Sequence, residues 1–254
     1  MNFKTHILFY LSIFLLIISV LTARTSQPQK NAGWINRSQE NWPHITMINN
    51  IEFIDKKFPV AGCSFLLDTG KDTLAVTAKH ILIYFKSEKM NAVCFENTLT
   101  KWKMFPKDNP ADSIVVDALI NENVNESLIR IPPKIDWLLF TLQKKSKNIQ
   151  PLKFRNSPLK PGEKVYIIGW RYTDINCPQV IYNGNYVKSE NGTVLITTEK
   201  LADNKIPGLS GSPVIDSNGN LIGIMSQKAG KMERLSSIEY PKKIVKKIIS
   251  REIK

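Results

Sequence analysis

The chain has 254 residues, 43% hydrophobic and 22% charged, with a formal net charge of +13. That is enough for one large or two small domains around a buried core, and it excludes a disordered chain. No RNA- or DNA-binding motif accompanies the basic excess, which is read as a solvated surface; no nucleic-acid partner is expected.

Residues 1–23 read as a targeting segment: Lys4 gives a basic start, Ile7 to Leu21 is almost wholly apolar, and Ala23 offers a small residue for cleavage. The run is short for a membrane span, which needs about 20 apolar residues. Two expectations stay open, a cleaved signal peptide or an anchor in which residues 7–22 tether the protein to a membrane. Either one takes the rest of the chain out of the cytoplasm, to a secreted, periplasmic or cell-surface location. Residues 24–44 are polar and irregular and read as a tether.

From Ile45 the sequence becomes short β-like runs separated by turns. Strands are expected over Ile45–Ile54, Gly62–Leu67, Thr73–Thr77, Asn91–Phe95, Ser113–Ile120 and Trp137–Leu142. A second set follows over Lys164–Trp170, Gln179–Val187, Val194–Thr198, Ser212–Ile215 and Leu221–Ser226. Asp68-Thr69-Gly70-Lys71, Asn109-Pro110, Pro161-Gly162, Asn183-Gly184, Asn191-Gly192 and Asn218-Gly219 are the turn signals. Short strands with little helix between them argue for barrels or sandwiches and against βαβ units. A Lys/Ser/Asn-rich segment divides the chain, giving an N-terminal β-barrel over 45–142, a linker over 143–152 and a C-terminal β-barrel over 153–254. Within the last part, Ile244, Val245, Ile248, Ile249 and Ile253 share one face of a C-terminal amphipathic helix.

Three cysteines, Cys63, Cys94 and Cys177, allow at most one internal disulfide, and their spacing does not choose the pair. None has metal-ligand spacing, so no metal and no cofactor are expected.

The chemistry centres on Gly208-Leu209-Ser210-Gly211-Ser212-Pro213. A serine between glycines, ahead of a strand and an Asn-Gly hairpin turn, sits on backbone that a substrate can approach closely. The Gly208 and Ser210 N–H groups are then placed to stabilise a developing oxyanion. The serine needs a base. Of three histidines, His6 lies in the targeting segment and His44 beside Pro43; His80 follows the strand Leu74–Thr77 and is the candidate. A buried carboxylate must fix that imidazole. Asp136, ahead of the apolar run Trp137–Leu142, is preferred over Asp117.

These pieces resemble chymotrypsin-like (trypsin-like) serine proteases. Thr77-Ala78-Lys79-His80 resembles their TAxH motif, Asp136-Trp137-Leu138-Leu139 their D-x-A-L-L segment, and Gly208–Pro213 their G-D/N-S-G-G-P. Gly62-Cys63-Ser64-Phe65 resembles the strand ahead of the His in the bacterial, HtrA-like branch, here without a PDZ domain, and Tyr166-Ile167-Ile168-Gly169-Trp170 resembles the strand that opens the family's second barrel. The order His, Asp, Ser is that of the family.

The resemblance implies an all-β fold of two six-stranded antiparallel β-barrels with a C-terminal helix, and a serine endopeptidase acting on protein or peptide substrates. It implies His80 as general base, Asp136 as its orienting acid, Ser210 as nucleophile, and the Gly208 and Ser210 amides as the oxyanion hole. It places substrate contacts at Asn204, in the stretch Asp203 to Ile206, and at Ser226, Gln227 and Lys228. Lys228 favours acidic side chains there, while Asp203 and Asn204 favour the reverse. Leu209 and Ser212 depart from the family's polar residue and glycine. A protease-fold binding protein without turnover is the alternative reading.

Overall fold

The computed structural model describes residues 33–128, 135–174, 179–198, 201 and 206–252. The targeting segment, residues 24–32 of the tether, Cys177, Asp203 and Asn204 lie outside the described residues.

The first barrel is built from β1 (Thr46–Phe53), β3 (Cys63–Asp68), β4 (Thr73–Thr77), β6 (Leu99–Phe105), β7 (Ile114–Leu119) and β9 (Leu138–Lys144). Their order around the ring is β1-β3-β4-β9-β7-β6, closed by pairing of β6 with β1, every neighbour antiparallel. Two short strands extend this sheet: β2 (Lys57–Phe58) on β1, and β10 (Leu152–Lys153) parallel to β3. Another pair, β5 (Ala92–Val93) and β8 (Asn123–Ser127), forms a separate two-stranded ribbon.

The second barrel closes as β11-β12-β13-β16-β15-β14, again antiparallel throughout. Its strands are β11 (Lys164–Gly169), β12 (Val180–Glu190), β13 (Thr193–Thr198), β14 (Pro213–Asp216), β15 (Leu221–Ala229) and β16 (Met232–Ser237). A one-turn helix, α1 (Ile81–Tyr84), follows His80, and α2 (Glu239–Glu252) ends the described chain. The two barrels and the C-terminal helix are those the sequence led us to expect.

Alternation decides what each strand buries. In β6, Trp102 and Met104 are fully buried while Lys101 is exposed. In the second barrel Val165, Ile167, Ile196, Val214 and Leu235 meet in one apolar cluster. Around Asn183-Gly184 the structure departs from the expected turn. The pair lies inside β12, with Asn183 opposite Tyr166 and Gly184 opposite both Val165 and Thr198. A Cβ on Gly184 would stand 2.5 Å from the Thr197 carbonyl oxygen, so the glycine serves close strand packing. Asn91–Phe95 is strand only at Ala92–Val93, because Glu96 and Asn97 take left-handed backbone (φ 41° and 64°) and turn the chain.

One buried polar side chain ties the first barrel together beneath the site. Asn49 Nδ2 donates to the carbonyls of Ala61 and Cys63 and to Thr77 Oγ1, and its Oδ1 accepts the Trp102 indole N–H. Bonded through both its amide nitrogen and its amide oxygen, the asparagine ties β1, β3, β4 and β6 together. Within the polar 24–44 stretch, Trp34, Ile35 and Trp42 are buried, and Trp42 packs edge-on against Tyr166 of β11 at 5.4 Å between ring centroids.

Candidate active site

β4 delivers His80 to the first turn after Thr77-Ala78-Lys79, where it begins α1. Ala78 is fully buried and Lys79 Nζ is held by Glu126 Oε1 at 2.7 Å, so the backbone entering the histidine is fixed on both sides. Asp136 lies just ahead of β9 and is 1% exposed. Its placement depends on the second barrel: its backbone N–H donates to Ser236 Oγ (3.2 Å), and the next residue's indole, Trp137 Nε1–H, donates to the Ser237 carbonyl (3.0 Å). Asn121 secures the other side, donating to the Trp137 carbonyl and accepting the Leu139 N–H.

The carboxylate of Asp136 accepts the His80 backbone N–H on Oδ1 (2.8 Å) and lies 2.7 Å from His80 Nδ1 with Oδ2. A carboxylate can only accept, so Nδ1 carries the proton and Nε2 is the free lone pair. Ser210 Oγ sits 2.7 Å from Nε2 and donates to it. Ser226 adds a hydroxyl donor to Asp136 Oδ2. The structure thus brings His80, Asp136 and Ser210 into one hydrogen-bonded row. It leaves Asp117 exposed, with Oδ2 accepting the Thr141 hydroxyl at 3.2 Å.

Ser210 stands on a loop shaped by two left-handed glycines, Gly208 (φ 107°) and Gly211 (φ 86°). A Cβ on Gly211 would collide with the Cys63 carbonyl oxygen, and one on Gly208 would lie 2.7 Å from the Tyr172 nitrogen. The loop is pinned from both barrels. Cys63 N–H donates to the Ser210 carbonyl (2.7 Å), and Gly211 N–H donates to the Met225 carbonyl (3.0 Å). Leu209 and Ser212 N–H groups are taken by Ile206 and Leu209 carbonyls. Among the described residues the Gly208 and Ser210 N–H groups donate to nothing, which leaves them available to an incoming oxyanion.

The two departures from the family pattern are absorbed by packing. Leu209 is fully buried in the second barrel's apolar cluster. Ser212 sits against Gly169, where a Cβ would overlap its hydroxyl; a glycine on β11 makes the room that Ser212 needs. Cys63 and Cys94 are free thiols, and burial pushes the Cys63 thiol up to about 11. Among the described residues no group of three or more His, Cys, Asp or Glu side chains gathers as a metal site.

Of the residues expected to touch substrate, Ser226 turns its hydroxyl to Asp136, and Lys228 Nζ donates to the Leu201 carbonyl (2.6 Å). Asn204 lies outside the described residues. On the β14 side, β15 pairs only as far as Ile224. Ser236, Asn121 and Asn49 were not singled out in the sequence. Buried polar residues announce themselves only once their partners, far along the chain, are known.

No curated protein matches the chain by sequence. A solved structure, the inactive form of a serine-to-alanine mutant of Rv3671c from M. tuberculosis H37Rv, aligns with a TM-score of 0.50 at 13% identity, covering 80% of this chain and 86% of that one. That likeness is one of fold. The model of the family described as trypsin-like peptidase domain matches residues 62–224, more than half of the sequence. The chain belongs to the trypsin-like peptidase domain family.

Proposed function

We propose that the protein is a serine endopeptidase that cleaves peptide bonds through an acyl-enzyme on Ser210. One observation carries this reading: the row Ser210 Oγ–His80 Nε2–His80 Nδ1–Asp136 Oδ2, with 2.7 Å at each junction and the acid buried. Ser210 Oγ attacks the scissile carbonyl while His80 Nε2 takes its proton. Asp136 stabilises the imidazolium so formed. The carbonyl oxygen becomes an oxyanion held by the Gly208 and Ser210 amides. Collapse expels the amine, which takes the proton from His80, and the acyl group stays on Ser210. A water molecule then repeats the sequence, with His80 as base, and frees the new carboxylate.

The acyl half of the substrate lies along β15 beside Ser226, whose hydroxyl reaches Asp136. Gln227 and Lys228 contact it, while Ser226 supports Asp136. We also propose export, since Lys4 and the apolar run Ile7 to Leu21 have the make-up of a targeting segment.

Labelling by a fluorophosphonate probe tests the reading. Label is expected on Ser210, absent in Ser210→Ala and strongly reduced in His80→Ala. Unchanged labelling of Ser210→Ala overturns the assignment of the nucleophile.

A further inference from the structure

The direction of the Gly208 N–H is set by the peptide unit it belongs to. In a planar trans unit the C=O and the N–H point in opposite directions. The Pro207 carbonyl accepts the Tyr172 N–H at 2.9 Å, so the Gly208 N–H points away from Tyr172. Gly208 has left-handed backbone (φ 107°) and no side chain to hold that plane. The plane is held from outside, by the chain at residues 170–172. A Cβ on Gly208 would stand 2.7 Å from the Tyr172 nitrogen and 2.8 Å from the Trp170 carbonyl oxygen.

Tyr172 is held in turn by Asp174. The Asp174 N–H donates to the Arg171 carbonyl at 3.0 Å and closes a tight turn with Tyr172 inside it. The Asp174 carboxylate then takes four donations. The Arg171 backbone N–H (2.9 Å) and the Tyr182 hydroxyl (2.6 Å) meet Oδ2, while Arg171 Nη2 (2.8 Å) and Nε (3.1 Å) meet Oδ1. Tyr182 is fully buried on β12, opposite Ile167 of β11, so the turn is fastened to the wall of the second barrel. Lys107 Nζ, from the chain after β6, donates to the Asp174 carbonyl and ties the turn to the first barrel. Burial alone would raise the Asp174 carboxyl, yet the hydrogen bonds from Arg171 and Tyr182 hold it below the ordinary value, so it stays charged and accepting.

We infer that Asp174 is a positioning residue for the reaction: through the Arg171–Asp174 turn it keeps the Tyr172 N–H on the Pro207 carbonyl, and so keeps the Gly208 amide directed at the developing oxyanion. The inference rests on the acyl-enzyme reading of Ser210. With Tyr172 released, the Pro207–Gly208 unit rotates about bonds that a glycine leaves soft, and one donor is lost. An oxyanion exists only once the nucleophile has attacked, so the loss falls on rate and not on substrate affinity. Removing one such donor lowers kcat about 10²–10³-fold.

A matched pair of peptide esters separates this role from a general loss of structure. In the thionoester of the pair, sulfur replaces the carbonyl oxygen. Sulfur accepts hydrogen bonds weakly, so intact oxyanion donors favour the oxygen ester. Asp174→Ala and Asp174→Asn are assayed with both esters. The asparagine keeps the size of the side chain and turns an amide donor toward groups that themselves donate, so it carries the test if the alanine variant does not fold. In Asp174→Ala, kcat on the oxygen ester is expected to fall about 10²-fold with KM within threefold. The ratio of kcat/KM for oxygen ester over thionoester is expected to fall at least tenfold, and at least threefold in Asp174→Asn. The acid limb of the pH profile of kcat/KM, set by His80, is expected to stay in place. An unchanged ester ratio in a folded variant overturns the positioning role, whatever the fall in rate, and so does a loss carried by KM alone. A displaced acid limb overturns it in favour of an effect on His80. Turnover that is lost in Ser210→Ala but untouched in both Asp174 variants removes the positioning role and leaves the nucleophile intact. Turnover that survives in Ser210→Ala removes the acyl-enzyme reading and the positioning role with it.

Discussion

Asp136 holds His80 by two atoms: Oδ2 meets the ring at Nδ1 (2.7 Å) and Oδ1 accepts the backbone N–H (2.8 Å). The carboxylate thus fixes the tautomer and the main chain together. In Asp136→Asn the side-chain amide that faces Nδ1 donates and stabilises the wrong tautomer. Peptidase kcat is expected to fall about 10⁴-fold. Asp117→Asn, at an exposed position on Thr141, is expected to stay within twofold of the parent. Steady-state assays of the two variants decide; equal losses would sink the assignment.

Ser226 donates its hydroxyl to the same oxygen that faces the histidine ring. A hydrogen bond to a charged group contributes about 1.5–3 kcal/mol. Ser226→Ala is expected to lower kcat by about tenfold or more with KM little changed, and Ser226→Thr to recover most of it. A rise in KM at constant kcat would instead make Ser226 a substrate contact.

Two glycines with left-handed backbone make a controlled pair. Gly211 (φ 86°) meets the Cys63 carbonyl and Thr77 Oγ1, whereas Gly230 (φ 64°) has nothing within 4 Å of an added Cβ. Gly230→Ala is expected to cost about 1–2 kcal/mol from backbone strain. Gly211→Ala adds a collision with backbone, and a clearly larger loss is expected in denaturant unfolding, together with loss of probe labelling. Equal costs at the two positions would show that close packing at Gly211 is irrelevant.

Glu233 points inward from β16, and burial raises its carboxyl above the ordinary value, offset only in part by the nearby Thr198 and the charge of Lys228. The folded state then holds the proton more tightly than the unfolded one. Its contribution to stability is present below the unfolded value and is lost as pH rises through the folded value. Glu233→Gln is therefore expected to raise Tm at pH 7 by more than at pH 4. An equal shift at both values would exclude this titration as the cause.

The residues of the site were legible because each belongs to a short local pattern: a strand emptying into His80, an acid before an apolar run, a serine between glycines. The barrels were legible where strands alternate or run apolar between turn residues. Leu99–Phe105 alternates as well, with Trp102 and Met104 buried, but its lysines hide a strand in what reads as basic loop. Met232–Ser237 gave no comparable signal, since it buries Glu233 and Ser236 among its inward residues. Ser226 is a different case. Its position beside the cleft could be inferred, but the direction of its hydroxyl depends on Asp136, 90 residues away in sequence.

The carbonyl of Ser210 is fastened to the first barrel through Cys63, while its neighbour Gly211 is fastened to the second through Met225. Ser210 therefore acts as a rivet through two plates. Anything that slides one plate against the other, a wedge-shaped inhibitor or a pulling force on either end, unseats the serine without touching it.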